Sequence, residues 1–195
     1  MTNNSFELVQ SVIKSRRSTG SGKMNGAKID NETVSNILAL ADWAPTHGRT
    51  EPWRFYVYTG EALKEFGETH ARLYWENTAE EKRLEATRDK LLHNGDKASH
   101  LMIAVMKRGE NVKIPQVEEI AATAAAIQNV LLGATALGIN SFWSTGGLTH
   151  SNVLKEYLQL GSEDVVMGLI YLGYTDEPSK EGARNIALAE KIKWM

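Results

Sequence analysis

The sequence predicts an α+β fold, a central antiparallel or mixed sheet flanked by helices around one long buried helix. Two observations lead there. Residues 117–137, VEEIAATAAAIQNVLLGATAL, are apolar on nearly every side at helical spacing, and a helix of that kind must be covered from several directions. Four short runs read as strands: WRFYVYT at 53–59, LMIAVMK at 101–107, 139–143, and VVMGLIYL at 165–172. Strands and helices mixed about one dominant helix make the class α+β.

The long helix opens with Glu118 and Glu119, which suit the positive end of a helix dipole, and closes at Gly138, the residue type most often found just past a helix C-terminus. It approaches the length of a membrane span, but Thr123, Gln128, Asn129 and the leading glutamates argue against one. Before it, Phe6 to Lys14 carries Phe6, Val9, Val12 and Ile13 on one face, with Ser5 as the expected N-cap. A loop rich in Gly, Ser and Asn follows. Asp30 is placed to cap a second helix through Asp42 whose inward residues are Val34, Ile37, Leu38 and Ala41. Pro52 ends the irregular stretch before the first strand.

Glu61 to Glu68 reads as a short helix, and His70 to Lys97 as a charge-dense helical insertion or lid with Leu73, Leu84, Arg88, Leu91 and Leu92 as a weak face. A plain solvated excursion accounts for 70–97 equally well. Asn152 to Leu158 is helical, and Gly173 is expected to stop the last strand. In the tail, Ile192 and Trp194 have no local partner, which suits a segment that wraps a neighbour.

With 195 residues the chain is expected to form one domain, 1–195, with the insertion at about 70–97. A net charge of -2 gives no bulk attraction for nucleic acid, so any anion site must be a local cluster. The absence of cysteine excludes disulfides, a thiolate nucleophile and a cysteine-ligated iron–sulfur cluster. The opening MTNNSFELVQ lacks the basic region and apolar run of a signal peptide, and the expected location is cytoplasmic, with no membrane contact.

Three segments could carry chemistry. Arg16-Arg17-Ser18 places two guanidinium groups and a hydroxyl where a helix gives way to a loop. Arginine binds phosphate oxygens in pairs, although two arginines there could equally satisfy the helix's last carbonyls. Residues 43–53 concentrate Trp43, His47, Arg49 and Trp53 in a polar loop between a helix and a strand, where binding residues tend to sit. The other reading puts Trp53 in the core and His47 on the surface. Trp143-Ser144-Thr145-Gly146-Gly147 follows a strand, and its hydroxyls and glycine amides suit either a ligand's polar rim or a plain turn. The five histidines lack the spacing of a metal site, and neither a G-x-S-x-G nor a G-x-G-x-x-G pattern is present.

In this order and spacing the segments resemble the nitroreductase family of flavoproteins, in its short bacterial branch. The likeness runs from RRS at 16–18 through AP-x-H at 44–47 and PW-x-F at 52–55, across the alanine-rich helix to WSTGGLT at 143–149 and GLIYLGY at 168–174. It implies an FMN-dependent NAD(P)H oxidoreductase, an obligate homodimer with one FMN in each of two interface sites. Hydride would pass from NAD(P)H through the flavin to a nitroaromatic, quinone or similar small oxidant in a ping-pong cycle, with no dedicated catalytic side chain and no metal.

By the same resemblance Arg16 and Ser18 hold the phosphate and ribityl chain with Arg17 beside them. Trp43 and His47 come from the partner subunit, and Trp143, Ser144, Thr145 and Gly146 lie along the flavin. Many relatives have a lysine two residues after the first-motif serine, where this chain has Gly20; Arg49 is expected to supply that charge near flavin N1 and C2. Glu51 replaces a common glutamine, Tyr74 and Trp75 are candidates for the substrate side, and Arg184 for the phosphate. Other chemistry on the same scaffold, dehalogenation or flavin degradation, and a non-catalytic flavin-binding dimer remain the alternatives.

Overall fold

The structure, a computed structural model, describes residues 4–111 and 113–195. The chain forms α1 (Asn4–Ser15), α2 (Asn31–Ala41), β1 (Trp53–Thr59), α3 (Gly60–Asn77), α4 (Glu85–His93), β2 (His100–Met106), α5 (Gln116–Ala136), β3 (Asn140–Ser144), α6 (Asn152–Tyr157) and β4 (Val165–Gly173). The strands order as β1-β2-β4-β3, every neighbouring pair antiparallel. All seven residues of β2 are buried, as its place inside the sheet with helices on both faces requires.

Alternation along β2 sorts the core. Met102 and Ala104 join Ile37 of α2 and Ile127, Val130 and Leu131 of α5 in one layer. Leu101, Ile103 and Val105 join Leu63 and Phe66 of α3 and Leu154 of α6 in the other. Each large aliphatic side chain so buried contributes about 1.5–3 kcal/mol.

Local signals set several elements. Asp30 accepts the Thr33 N–H at 2.7 Å and caps α2, which packs Val34, Ile37 and Ala41 inward. Gly133 lets α2 cross α5 closely, since a Cβ there would lie 2.7 Å from Leu40 Cδ1. The Asn129 amide fixes the same crossing by donating to the Leu40 carbonyl at 3.0 Å.

Four expectations need correction. Ser5 lies inside α1 rather than capping it, and α1 buries none of its residues. α3 does not stop near Glu68 but runs to Asn77, because Leu63, Phe66, Gly67, His70, Ala71 and Tyr74 form one buried stripe at helical spacing. Leu84 is exposed and leaves the expected face, whereas Leu91 and Leu92 of that face pack with Ala71 and Tyr74. Gly173 belongs to β4 rather than ending it beforehand.

Glu119 does more than face a helix dipole. It is 1% exposed and paired with Arg108, while its other oxygen accepts the Gly109 N–H at 3.1 Å. Arg108 also donates to the Ile114 carbonyl at 2.8 Å, and its own N–H to Asp164 at 2.8 Å. This network ties the start of α5 to the ends of β2 and of the loop before β4.

Candidate functional site

The first and third polar segments meet at the outer edge of β3. α1 ends with the Arg16 N–H on the Val12 carbonyl at 3.1 Å, and the chain then turns so that Ser18 forms a parallel bridge with Ser141. The Thr19 N–H reaches the Ser141 carbonyl at 2.9 Å. Trp143 stands two residues further along β3. The result is a pocket of about 260 Å³ lined by Arg16, Ser18, Gln128, Leu131, Trp143 and Thr145.

The two arginines diverge. Arg16 is half-buried and its guanidinium makes no hydrogen bond to another described residue, so it stays available to a ligand. Arg17 turns the other way: it donates to the carbonyls of Lys14 at 2.7 Å, Arg16 at 2.8 Å and Lys180 at 2.8 Å. A Cβ on Gly182 would lie 2.6 Å from its Nη2, so the tail lies directly over the guanidinium. Arg17 closes α1 and clasps the tail, outside the pocket lining.

Trp143 is fixed from β4. Its indole N–H donates to the Met167 carbonyl at 2.9 Å. The ring lies over Gly168, where a Cβ would come 2.1 Å from Nε1. After β3 the chain makes a braced turn: the Gly146 N–H points to Ser144 Oγ at 3.4 Å, and buried Thr149 donates its hydroxyl to the Gly146 carbonyl at 2.6 Å. The Leu148 N–H donates to His70 Nε2 at 3.1 Å. Burial lowers the His70 pKa to about 4, which keeps the ring a neutral acceptor.

The 43–51 segment lies elsewhere on the same chain. His47 pairs with Glu118 at the start of α5 and, with Pro45, Thr46, Ala121 and Ala122, lines a separate pocket of about 320 Å³. Gly48, Arg49 and Glu51 all have positive φ, 59°, 55° and 45°. For Arg49 and Glu51 that left-handed backbone is costly, and such residues gather at binding sites. Trp43 is 85% exposed and lines an apolar groove of about 440 Å³ with Leu8, Val9, Val12, Ile13 and Leu40. Within one chain, therefore, Trp43, His47 and Arg49 do not join Arg16 and Ser18.

Three minor candidates lie outside the pocket lining. Tyr74 is buried and its hydroxyl accepts the Leu84 N–H at 3.1 Å, while the guanidiniums of Arg83 and Arg88 lie over the Trp75 ring, 5.4 and 4.7 Å from its centre. Arg184 donates to the neighbouring Ala183 carbonyl at 2.7 Å. Motif reading missed Gln128 as a lining residue, although an amide on an alanine-rich helix was a usable signal. It also missed His70, whose burial no local pattern reveals.

The donor set suits a phosphorylated aromatic cofactor: one unpartnered guanidinium, two hydroxyls and an amide beside an indole edge. No group of three His, Asp or Glu side chains able to hold a metal is found among the described residues, and none of their helices is long and apolar enough to cross a membrane.

Residues 13–174 match the model of the nitroreductase family. The Escherichia coli K12 protein named "Putative NAD(P)H nitroreductase YdjA" is 29% identical over 142 residues, 73% of this chain and 75% of its own. A nitroreductase-like family protein from Bacillus cereus superimposes with a TM-score of 0.78 at 26% identity, over 96% of this chain and 95% of that one. The FMN-dependent nitroreductase NfnB of Mycobacterium smegmatis, solved with NADPH, gives a TM-score of 0.74 at 16% identity over 97% and 99% of the two chains.

Proposed function

The chain belongs to the nitroreductase family, and from that premise we propose that it is an FMN-dependent NAD(P)H oxidoreductase working as a homodimer in the cytoplasm. FMN held in this pocket would supply the redox chemistry of a ping-pong reaction between NAD(P)H and a nitroaromatic, quinone or similar acceptor. The observation that carries the reading is the convergence of Arg16 and Ser18 with Trp143 and Thr145, far apart in the sequence, in one pocket.

The chain's own residues bind and orient. Arg16 and Ser18 hold the phosphate and the start of the ribityl chain through charge-assisted and hydroxyl hydrogen bonds. Ser144, Thr145 and the Gly146 backbone would serve the polar rim of the ring, with Trp143 beside it. Arg17 contributes indirectly, by fixing the turn between Arg16 and Ser18 while it clasps the tail. The positive charge that relatives place near N1 and C2 falls to Arg49, which is exposed on its own chain. Preorganised charge of this kind needs no rearrangement at the moment of transfer.

A second copy completes the site. α1 carries Phe6, Leu8, Val9 and Ile13 exposed, and the groove beside Trp43 is apolar. An apolar face of that size on an isolated chain marks an interaction surface. Pairing through it covers α1 and brings Trp43 and His47 to the partner's flavin. The helices over 70–97 then border the acceptor side. Their base, His70 and Leu91, is seated against Gly147, and Trp75 packs on the same small cluster as Leu91.

The test is an anaerobic titration of purified protein with NADH and with NADPH. The proposal expects a yellow protein whose flavin absorbance is bleached by a nicotinamide and restored by a nitroaromatic. Flavin that neither nicotinamide can reduce contradicts it.

A further inference from the structure

His70 belongs to no motif of the sequence, yet it holds the turn that follows Trp143-Ser144-Thr145. α3 carries the imidazole into the core, where it is 2% exposed and packed against Phe66. Its Nε2 accepts the Leu148 N–H at 3.1 Å, so the ring proton sits on Nδ1. The turn is seated hard against it. A Cβ on Gly147, whose φ is +65°, would lie 2.8 Å from Nε2 and 2.7 Å from Leu91 Cδ2. On the far side of the same turn, the Thr149 hydroxyl holds the Gly146 carbonyl at 2.6 Å.

Thr145 and Gly146 are thus suspended between β3 and two buried anchors, one of them an imidazole from a helix outside the pocket. Freed of its acceptor, the Leu148 N–H would face a buried space unpaired, a state a turn leaves by changing shape. A leucine in place of His70 would fill the volume and remove only the acceptor.

We propose that His70 is a positioning residue of the cofactor site, fixing through the Leu148 N–H the turn that presents Thr145 and Gly146 to FMN. The inference rests on the proposed function. It is a role in shaping the site and not in the chemistry, since the ring touches the turn and not the pocket.

The experiment compares wild type, His70→Leu and His70→Gln by FMN affinity and by amide hydrogen exchange of the cofactor-free protein. His70→Leu should weaken FMN binding about tenfold, as expected for one lost buried hydrogen bond. Exchange should quicken at residues 146–148 and stay unchanged in β3 and β4. His70→Gln, which keeps an acceptor, should recover most of both. If His70→Leu does not fold, Gly147→Ala probes the same contact from the turn side and should weaken FMN binding likewise.

Equal FMN affinity in wild type and His70→Leu, or in Gly147→Ala where that variant stands in, overturns the inference and leaves the proposed function standing. So does a loss in His70→Leu that His70→Gln shares with no change in exchange at the turn. A wild-type protein that takes up no FMN overturns the proposed function and this inference with it.

Discussion

The indole of Trp143 lies directly on the backbone of Gly168, its N–H on the adjacent Met167 carbonyl at 2.9 Å. A methyl group at 168 would come 2.1 Å from Nε1 and 3.0 Å from the Ser144 carbonyl. Gly168→Ala should therefore push the indole off β4, at a cost of about 1–3 kcal/mol for an overpacked site. FMN affinity should fall with it. Urea denaturation and FMN titration check the two effects; a variant with wild-type values for both would show that the ring is not seated there.

The two adjacent arginines should separate cleanly. Arg16→Ala removes a charge-assisted bond to the phosphate, worth about 1.5–3 kcal/mol, and should weaken FMN binding roughly ten- to a hundredfold with little change in Tm. Arg17→Ala frees the carbonyls of Lys14 and Lys180 and should make the 175–195 tail more open to proteolysis, with a much smaller effect on FMN. Equal losses of FMN affinity would contradict this division of labour.

These first two cases show what was legible in the sequence. β1 was read to the residue, since its alternation and the preceding Pro52 are local, and α2 followed from Asp30, whose cap is made three residues away. The order of polar segments pointed to the family. Residue type alone does not separate Arg16 from Arg17, and only the resemblance sets Arg16 at the phosphate; that Arg17 turns to the Lys14, Arg16 and Lys180 carbonyls is a product of the fold. The length of α3 was misread because its stripe runs through His70, a polar residue that is buried for a tertiary reason, a seat under Gly147. Glu119 looked like its neighbour Glu118, and only the fold puts Arg108 beside one and His47 beside the other.

That buried pair gives the largest expected stability effect. Glu119→Ala leaves Arg108 uncompensated in the core and the Gly109 N–H without its acceptor. Breaking one side of a buried pair costs about 3–5 kcal/mol. Equilibrium urea denaturation should show a loss in that range, whereas Glu118→Ala, on an exposed pair with His47, should change stability by less than about 1 kcal/mol.

Acid should destabilise the protein through His70. Burial holds its folded pKa at about 4, below the ordinary 6.5. Between these values the unfolded imidazole carries a proton that the folded one does not, so stability falls as pH drops from 6.5 towards 4. The span corresponds to about 3 kcal/mol. His100, also pushed down by burial and by Lys28, adds in the same direction. Stability measured against pH should fall more steeply for wild type than for His70→Gln across this window; parallel curves would rule the effect out.

Arg49→Ala should lower the midpoint potential of the bound flavin, because the substitution removes positive charge from the vicinity of the reduced ring. Spectroelectrochemical titration of both proteins decides it, and an unchanged potential removes Arg49 from the site.

Native mass spectrometry of the FMN-loaded protein reaches the central claim most directly. The account predicts a species of two chains carrying two FMN molecules, and loss of flavin from that species in Arg16→Ala. Single chains without flavin, at FMN concentrations that saturate other flavoproteins, would contradict it.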